Sequence, residues 1–167
     1  RLAPREVDRI AAHIDVTPTV LELAGAAPPA QVQMDGRSLV PLLEGRAEAW
    51  PDRALFFQWH RGDAPQAGRA FAVRTQAFKL VQAQGTGEGA PVPDTAPALF
   101  DMAADPLERT DVAAAHPEVV ARLRRDYDAW FSRVTGARDY SDAGIARIAI
   151  GSGAEDPVRL TRQDWRG

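Results

Sequence analysis

The sequence predicts an α+β fold in which a small antiparallel sheet packs against one long helix. Two observations carry this. Between residues 53 and 101, short apolar segments with period-two alternation are separated by Gly, Pro and Asp clusters, the pattern of strands joined by turns. From His116 onward, Val120, Leu123, Tyr127, Trp130, Phe131 and Val134 recur every three or four residues, the pattern of one helix face. A third unit, residues 13–25, is helical but too short to stand alone in water.

Each element follows from its residues. In 13–25, Asp15 is expected to cap the helix by accepting from first-turn N–H groups, and Pro18 falls where no intrahelical donor is needed. Val16, Val20, Leu23 and Ala24 form one apolar stripe, which must dock on something larger. Gly25 suits the left-handed position that ends a helix, and Pro28-Pro29 prevents continuation. Asp35-Gly36 marks a turn, and Ser38 to Leu43 a brief helical turn. Strands are expected at 53–60, at 69–75 with Phe71 and Val73 inward, at 77–82 after a tight Thr75-Gln76 turn, and at 98–101. Pro117 at the first helical position and Glu118 near the positive helix end open a helix of roughly 17–18 residues, which Gly136 stops. Past it, 137–156 reads as a linker, and Pro157 to Gly167 begins a strand-like alternation.

Composition excludes several function classes. The 167 residues contain no cysteine, so disulfides, thiolate catalysis, Fe–S clusters and Cys-based zinc sites are out. A net charge of -3 argues against nucleic acid, which requires a basic face. No apolar run reaches the roughly 20 residues that span a bilayer. The chain opens at Arg1 without Met or a targeting segment and stops abruptly at Gly167, so both ends read as cuts.

Chemistry-bearing residues are sparse. His13, His60 and His116 are far apart and have no metal-ligand spacing, so no metal site is expected. His13 and His116 read as structural residues at helix starts. His60 ends an aromatic strand and is followed by Arg61-Gly62-Asp63; with Arg61 it could bind a sulfate, phosphate or carboxylate, or simply form a solvated hairpin tip. Asp101, Asp105, Glu108 and Asp111 miss the calcium-loop pattern and read as turn chemistry, with Asp105-Pro106 setting a tight turn and Glu108 and Asp111 accepting backbone N–H bonds. The run Gly85-Thr86-Gly87-Glu88-Gly89 lacks the end of a phosphate loop and reads as a flexible tip. No complete active site is present.

Four segments in order resemble a known family. His13-Ile14-Asp15-Val16-Thr17-Pro18-Thr19-Val20-Leu21-Glu22-Leu23-Ala24-Gly25 is similar to a segment late in the catalytic domain of sulfatases, and Asp35-Gly36-Arg37-Ser38-Leu39-Val40-Pro41-Leu42-Leu43 resembles the segment that follows it. Residues 69–81, with Ala72-Val73-Arg74 and Phe78-Lys79-Leu80, resemble the paired strands of the smaller C-terminal domain. Leu99-Phe100-Asp101-Met102 and Asp105-Pro106-Leu107-Glu108 are similar to the signature before the last helix. The set resembles the C-terminal portion of a bacterial, arylsulfatase-like member of the alkaline-phosphatase superfamily.

The resemblance implies an organisation: 1–51 as the tail of a large catalytic α/β domain, 52–136 as the small C-terminal sheet plus helix, 137–156 as a linker and 157–167 as the start of a further module. It implies a parent enzyme that hydrolyses sulfate esters with a formylglycine nucleophile, made from Cys or Ser in a C/S-x-P-x-R motif, and a divalent cation, usually calcium. The nucleophile and metal ligands lie upstream in the family and no residue here matches them, so the segment alone is expected to be inactive and its partner is the missing N-terminal catalytic part of the same chain. Two other readings stay open: a phosphoester or phosphonate hydrolase of the same superfamily, and a non-catalytic structural or binding module. Export to the periplasm or beyond is common in the family, and the lack of cysteine bears neither way on it.

Overall fold

A computed structural model of the chain describes residues 4–60, 64–85, 95–137, 148–150 and 158–160. They fall into two compact units, 1–55 and 56–167.

In the first unit, a 3-10 turn over His13–Asp15 runs directly into α1 (Val16–Leu23). The helix ends as its sequence requires. Gly25 has φ +65°, its N–H donates to Glu22 O at 3.0 Å, and Ala26 N–H donates to Leu21 O at 2.9 Å, the paired bonds of a left-handed helix end. A second helical turn, α2 (Val40–Leu43), supplies buried Val40 and Leu42. Trp50 is buried as well, and its indole N–H donates to Ile10 O at 3.3 Å.

Two expectations for this unit need correction or completion. Asp15 makes no cap bond to the first turn of α1. Because the 3-10 turn already continues into the helix, its carboxylate points back instead and accepts from Ala12 N–H. The expected apolar stripe exists but lies open: Val16, Val20 and Leu23 are 55%, 57% and 65% exposed, while Asp15 and Thr19 occupy the buried face.

In the second unit, β1 (Leu55–Gln58), β2 (Phe71–Arg74), β3 (Phe78–Gln82) and β4 (Ala98–Asp101) form one antiparallel sheet in sequence order. The register aligns Val73 with Leu80 and Leu80 with Leu99, and all three are fully buried. At the β2–β3 turn, Thr75 N–H donates to Phe78 O and Phe78 N–H to the Thr75 hydroxyl oxygen. The helix α3 (Pro117–Gly136) covers this face with Leu123 and Tyr127, also fully buried, and with Trp130, which stacks on Phe56 at 5.3 Å. Full burial of each such side chain stabilises by about 1.5–3 kcal/mol, so this row is the unit's core. The helix extends through Gly136, slightly longer than its periodicity suggests.

Ile148–Ile150, inside the stretch expected as a linker, forms β5 and pairs antiparallel with β6 (Val158–Leu160). No helix among the described residues is long and apolar enough to cross a membrane.

Candidate functional site

Polar geometry concentrates in two places, one in each unit. In the first, Asp15 is fully buried. Its Oδ1 accepts from Arg37 N–H at 2.8 Å and from the Arg53 guanidinium at 2.8 Å, and its Oδ2 accepts from Ala12 N–H at 2.8 Å. Burial pushes the carboxyl pKa up, but the donors from Arg37, Arg53 and Ala12 outweigh it and hold the group below the usual carboxylate value. Arg53 is itself buried and lies 5.8 Å from the Trp50 ring centre. Thr19 continues the network, donating to Asp15 O at 2.6 Å and accepting from Leu39 N–H at 2.8 Å. Gly36 passes so close to this network that a Cβ would lie 1.9 Å from Ile14 O. The residues His13 to Gly25 and Asp35 to Leu43, far apart in sequence, thus meet around one carboxylate. The arrangement is a lock, with no open face for a ligand at its centre.

In the second unit, the end of β1 leads to Trp59, which is 56% exposed, and to half-buried His60. Trp59 N–H donates to Ala70 O at 2.9 Å, closing the base of the β1–β2 connection. Burial lowers the His60 pKa, so the imidazole is neutral near pH 7 and acts there as a hydrogen-bonding group rather than a cation. Arg61, its expected partner, lies outside the described residues, as does the glycine-rich tip at 86–89.

The connection is fixed from below by α3. The Tyr127 hydroxyl donates to Gln58 Oε1 at 2.6 Å and accepts from Gly68 N–H at 3.1 Å. Gln58 Nε2 donates to Arg69 O at 2.7 Å. Gly68 has φ +72°, and a Cβ there would lie 2.6 Å from an Arg124 guanidinium nitrogen. That guanidinium in turn lies over the Phe71 and Tyr127 rings at 5.5 and 5.9 Å. Gln58, Gly68 and Tyr127 were not legible as a group: in sequence Tyr127 is one more apolar-face residue, and only the hydroxyl hints at a polar partner.

The acidic residues of the 101–111 segment build turns. Asp101 Oδ1 accepts from Ala103 and Ala104 N–H, which lowers its pKa; Asp105 Oδ2 accepts from Arg109 and Thr110 N–H; and Asp111 Oδ1 accepts from Leu99 and Ala113 N–H. Pro106 follows Asp105 in that turn. Glu108 departs from expectation. It sits at φ +56° and its carboxylate takes the Lys79 ammonium at 2.6 Å instead of a backbone N–H. Its carboxylate reaches the one lysine of the chain, on β3, and a charge-assisted bond is stronger than a neutral one. His116 packs on Phe78, with ring centres 5.4 Å apart, and His13 is exposed. Among the described residues, no three His, Asp or Glu side chains come together as a metal site.

Residues 2–129 match the family described as N-sulphoglucosamine sulphohydrolase, C-terminal. The chain belongs to the sulfatase family. It is 33% identical to human arylsulfatase A over 141 residues, covering 74% of this chain and 27% of that protein. It is 31% identical to human steryl-sulfatase over 131 residues, covering 68% and 22%. A solved 2-O GAG sulfatase superposes with a TM-score of 0.50 at 27% identity, over 71% of this chain and 24% of that one. The chain therefore spans about a quarter of the length of the sulfatases it matches, and it corresponds to their C-terminal region.

Proposed function

We propose that this segment completes the fold and the substrate entrance of a sulfuric ester hydrolase. The supporting observation is the family match over residues 2–129, joined to relatives that act as arylsulfatase and steryl-sulfatase by name. In the whole enzyme, a formylglycine and a divalent cation, calcium by family resemblance, would supply the nucleophile and charge stabilisation. The described residues do not fit that cation: no three His, Asp or Glu side chains come together among them, and Asp15, Asp105 and Glu108 are engaged by Arg53, backbone N–H groups and Lys79. The missing N-terminal catalytic part of the chain would hold it, and the segment alone would be inactive.

On this reading, residues 1–51 belong to the large domain, 52–136 form the smaller one, and 157–167 start a further module. His60, with Arg61 beside it in sequence, lines the entrance and helps select the alcohol portion of the ester. The exposed Trp59 and the neutral imidazole next to it suit a ring-bearing alcohol more than a bare anion.

The test compares the segment with the full-length protein on an aryl sulfate and an aryl phosphonate. The full-length protein should hydrolyse the sulfate ester and the segment neither. Preference for the phosphonate would move the protein to the phosphonate hydrolases, and no turnover of either would leave a non-catalytic module. Changing His60 to Ala should raise KM in a protein that stays folded at neutral pH; unaltered kinetics across several sulfate esters would remove His60 from the entrance.

A further inference from the structure

We propose that Tyr127 is a positioning residue for this entrance: its hydroxyl clamps both ends of the β1–β2 connection and so fixes where His60 stands. The proposal rests on the reading of His60 as substrate-facing.

The geometry is specific. One buried hydroxyl donates to Gln58 Oε1 at 2.6 Å and accepts from Gly68 N–H at 3.1 Å, while Gln58 reaches on to Arg69 O at 2.7 Å. Gln58 lies two residues before His60, and Gly68-Arg69 opens the return to β2. The two ends of the connection are thus joined through the Tyr127 side chain of α3 as well as through the Trp59–Ala70 backbone bond. Core packing alone does not require this. The Tyr127 ring already stacks on Phe71 at 4.0 Å and contacts Trp130 and Phe131, and a phenylalanine would keep all three contacts. Its hydroxyl is the part that packing leaves unexplained. Gly68 also cannot be replaced without cost, because its φ of +72° is strained for any residue with a Cβ, although the Arg124 guanidinium above it could move aside.

Tyr127→Phe removes the donor to Gln58 and the acceptor for Gly68 together. Gln58→Leu, with similar volume, removes the other half and serves where the first variant folds poorly. Both are tested in the full-length protein beside His60→Ala, by amide hydrogen exchange and by steady-state kinetics on an aryl sulfate. Exchange over 64–70 should quicken about tenfold in both variants, while α3 and β3 stay protected. KM should rise about three- to tenfold with kcat within about twofold, and His60→Ala should raise KM as well. Loss of folded enzyme alone would lower apparent kcat and leave KM unmoved, so this split separates positioning from stability. Unchanged exchange, or a rise spread equally over α3 and β3, overturns the clamp. Faster exchange with unmoved KM, while His60→Ala raises KM, overturns positioning and leaves the entrance reading standing. If His60→Ala also leaves KM unmoved, the entrance reading fails and the proposal falls with it.

Discussion

Replacing Asp15 with Asn tests whether one carboxylate holds the first unit together. The side chain has no free orientation for an amide. Oδ1 accepts from Arg37 N–H and Arg53, and Oδ2 accepts from Ala12 N–H, each at 2.8 Å. Whichever way the amide turns, its NH2 faces a donor. The better orientation loses one backbone bond, and an unsatisfied buried donor costs about 1–3 kcal/mol. The larger effect is electrostatic, because Arg53 is left charged and buried without a counter-ion. Removing one partner of a buried pair typically costs ~3–5 kcal/mol, which sets the expected loss for Asp15→Asn. Arg53→Met should cost less, about 1–3 kcal/mol, because Asp15 keeps its two backbone donors. Urea titration read at the Trp50 indole N–H resonance reports on this unit directly, since that group is bonded to Ile10 O. A loss below about 1 kcal/mol for Asp15→Asn, or a larger loss for Arg53→Met, would refute the carboxylate as the centre of the lock.

Other expectations are as concrete. Gly36→Ala should destabilise far more than Gly25→Ala in the same titration. The first drives a Cβ to 1.9 Å from Ile14 O, whereas Gly25 has open space and only the left-handed backbone penalty of about 1–2 kcal/mol. Trp130→Ala should cost about 2–4 kcal/mol by denaturation, somewhat below a fully buried ring, because Trp130 is only half-buried in its stack on Phe56. His60 should make stability fall on mild acidification: its folded pKa is depressed, so the unfolded chain binds more protons, and stability present above pH ~6.5 is lost as pH drops through the folded value. His60→Gln should flatten that part of the pH profile. An unchanged slope would show that the imidazole is not buried as described.

Legibility followed the type of interaction. The strands β2, β3 and β4 and the α3 face could be read from alternation and three-to-four spacing, because the burial of side chains such as Val73 and Leu123 follows local periodicity, while the register between the strands came only with the structure. Gly25 was legible for the same local reason, a positive φ just past a helix. Asp15 was not. An Asp before a helical stripe suits an N-cap, and nothing local shows that the 3-10 turn already fills that place while an arginine 38 residues away supplies the charge. Glu108 was missed similarly, since its partner Lys79 lies 29 residues back, on β3. Tyr127 was legible as core and its hydroxyl was not. Non-local polar pairs leave no period in a sequence, so a family resemblance can place such residues in a motif without saying what they bond.

The two units are held by different physics, and this bears on what the segment contributes. The sheet and α3 close an apolar core of their own: Val73, Leu80, Leu99 and Leu123 are sealed, and Tyr127 and Gln58 bring polar atoms beneath the connection that carries His60. The first unit buries little apolar surface beyond Val40, Leu42 and Trp50, and centres instead on an ion pair. Yet Val16, Val20 and Leu23 stay open on one side of α1. A buried ion pair is weak as a source of stability but demanding in geometry, so it suits a part that must hold a fixed shape. The open stripe is the complement of that choice, apolar area whose burial is still to be gained. A unit built this way would be marginal by itself and firm once its stripe is covered, whereas the sheet unit already has the core to hold an entrance in place. On the proposed reading the segment would then have two roles: residues 1–51 would lock into the large domain's fold, and the sheet with α3 would carry the side chains that meet the substrate.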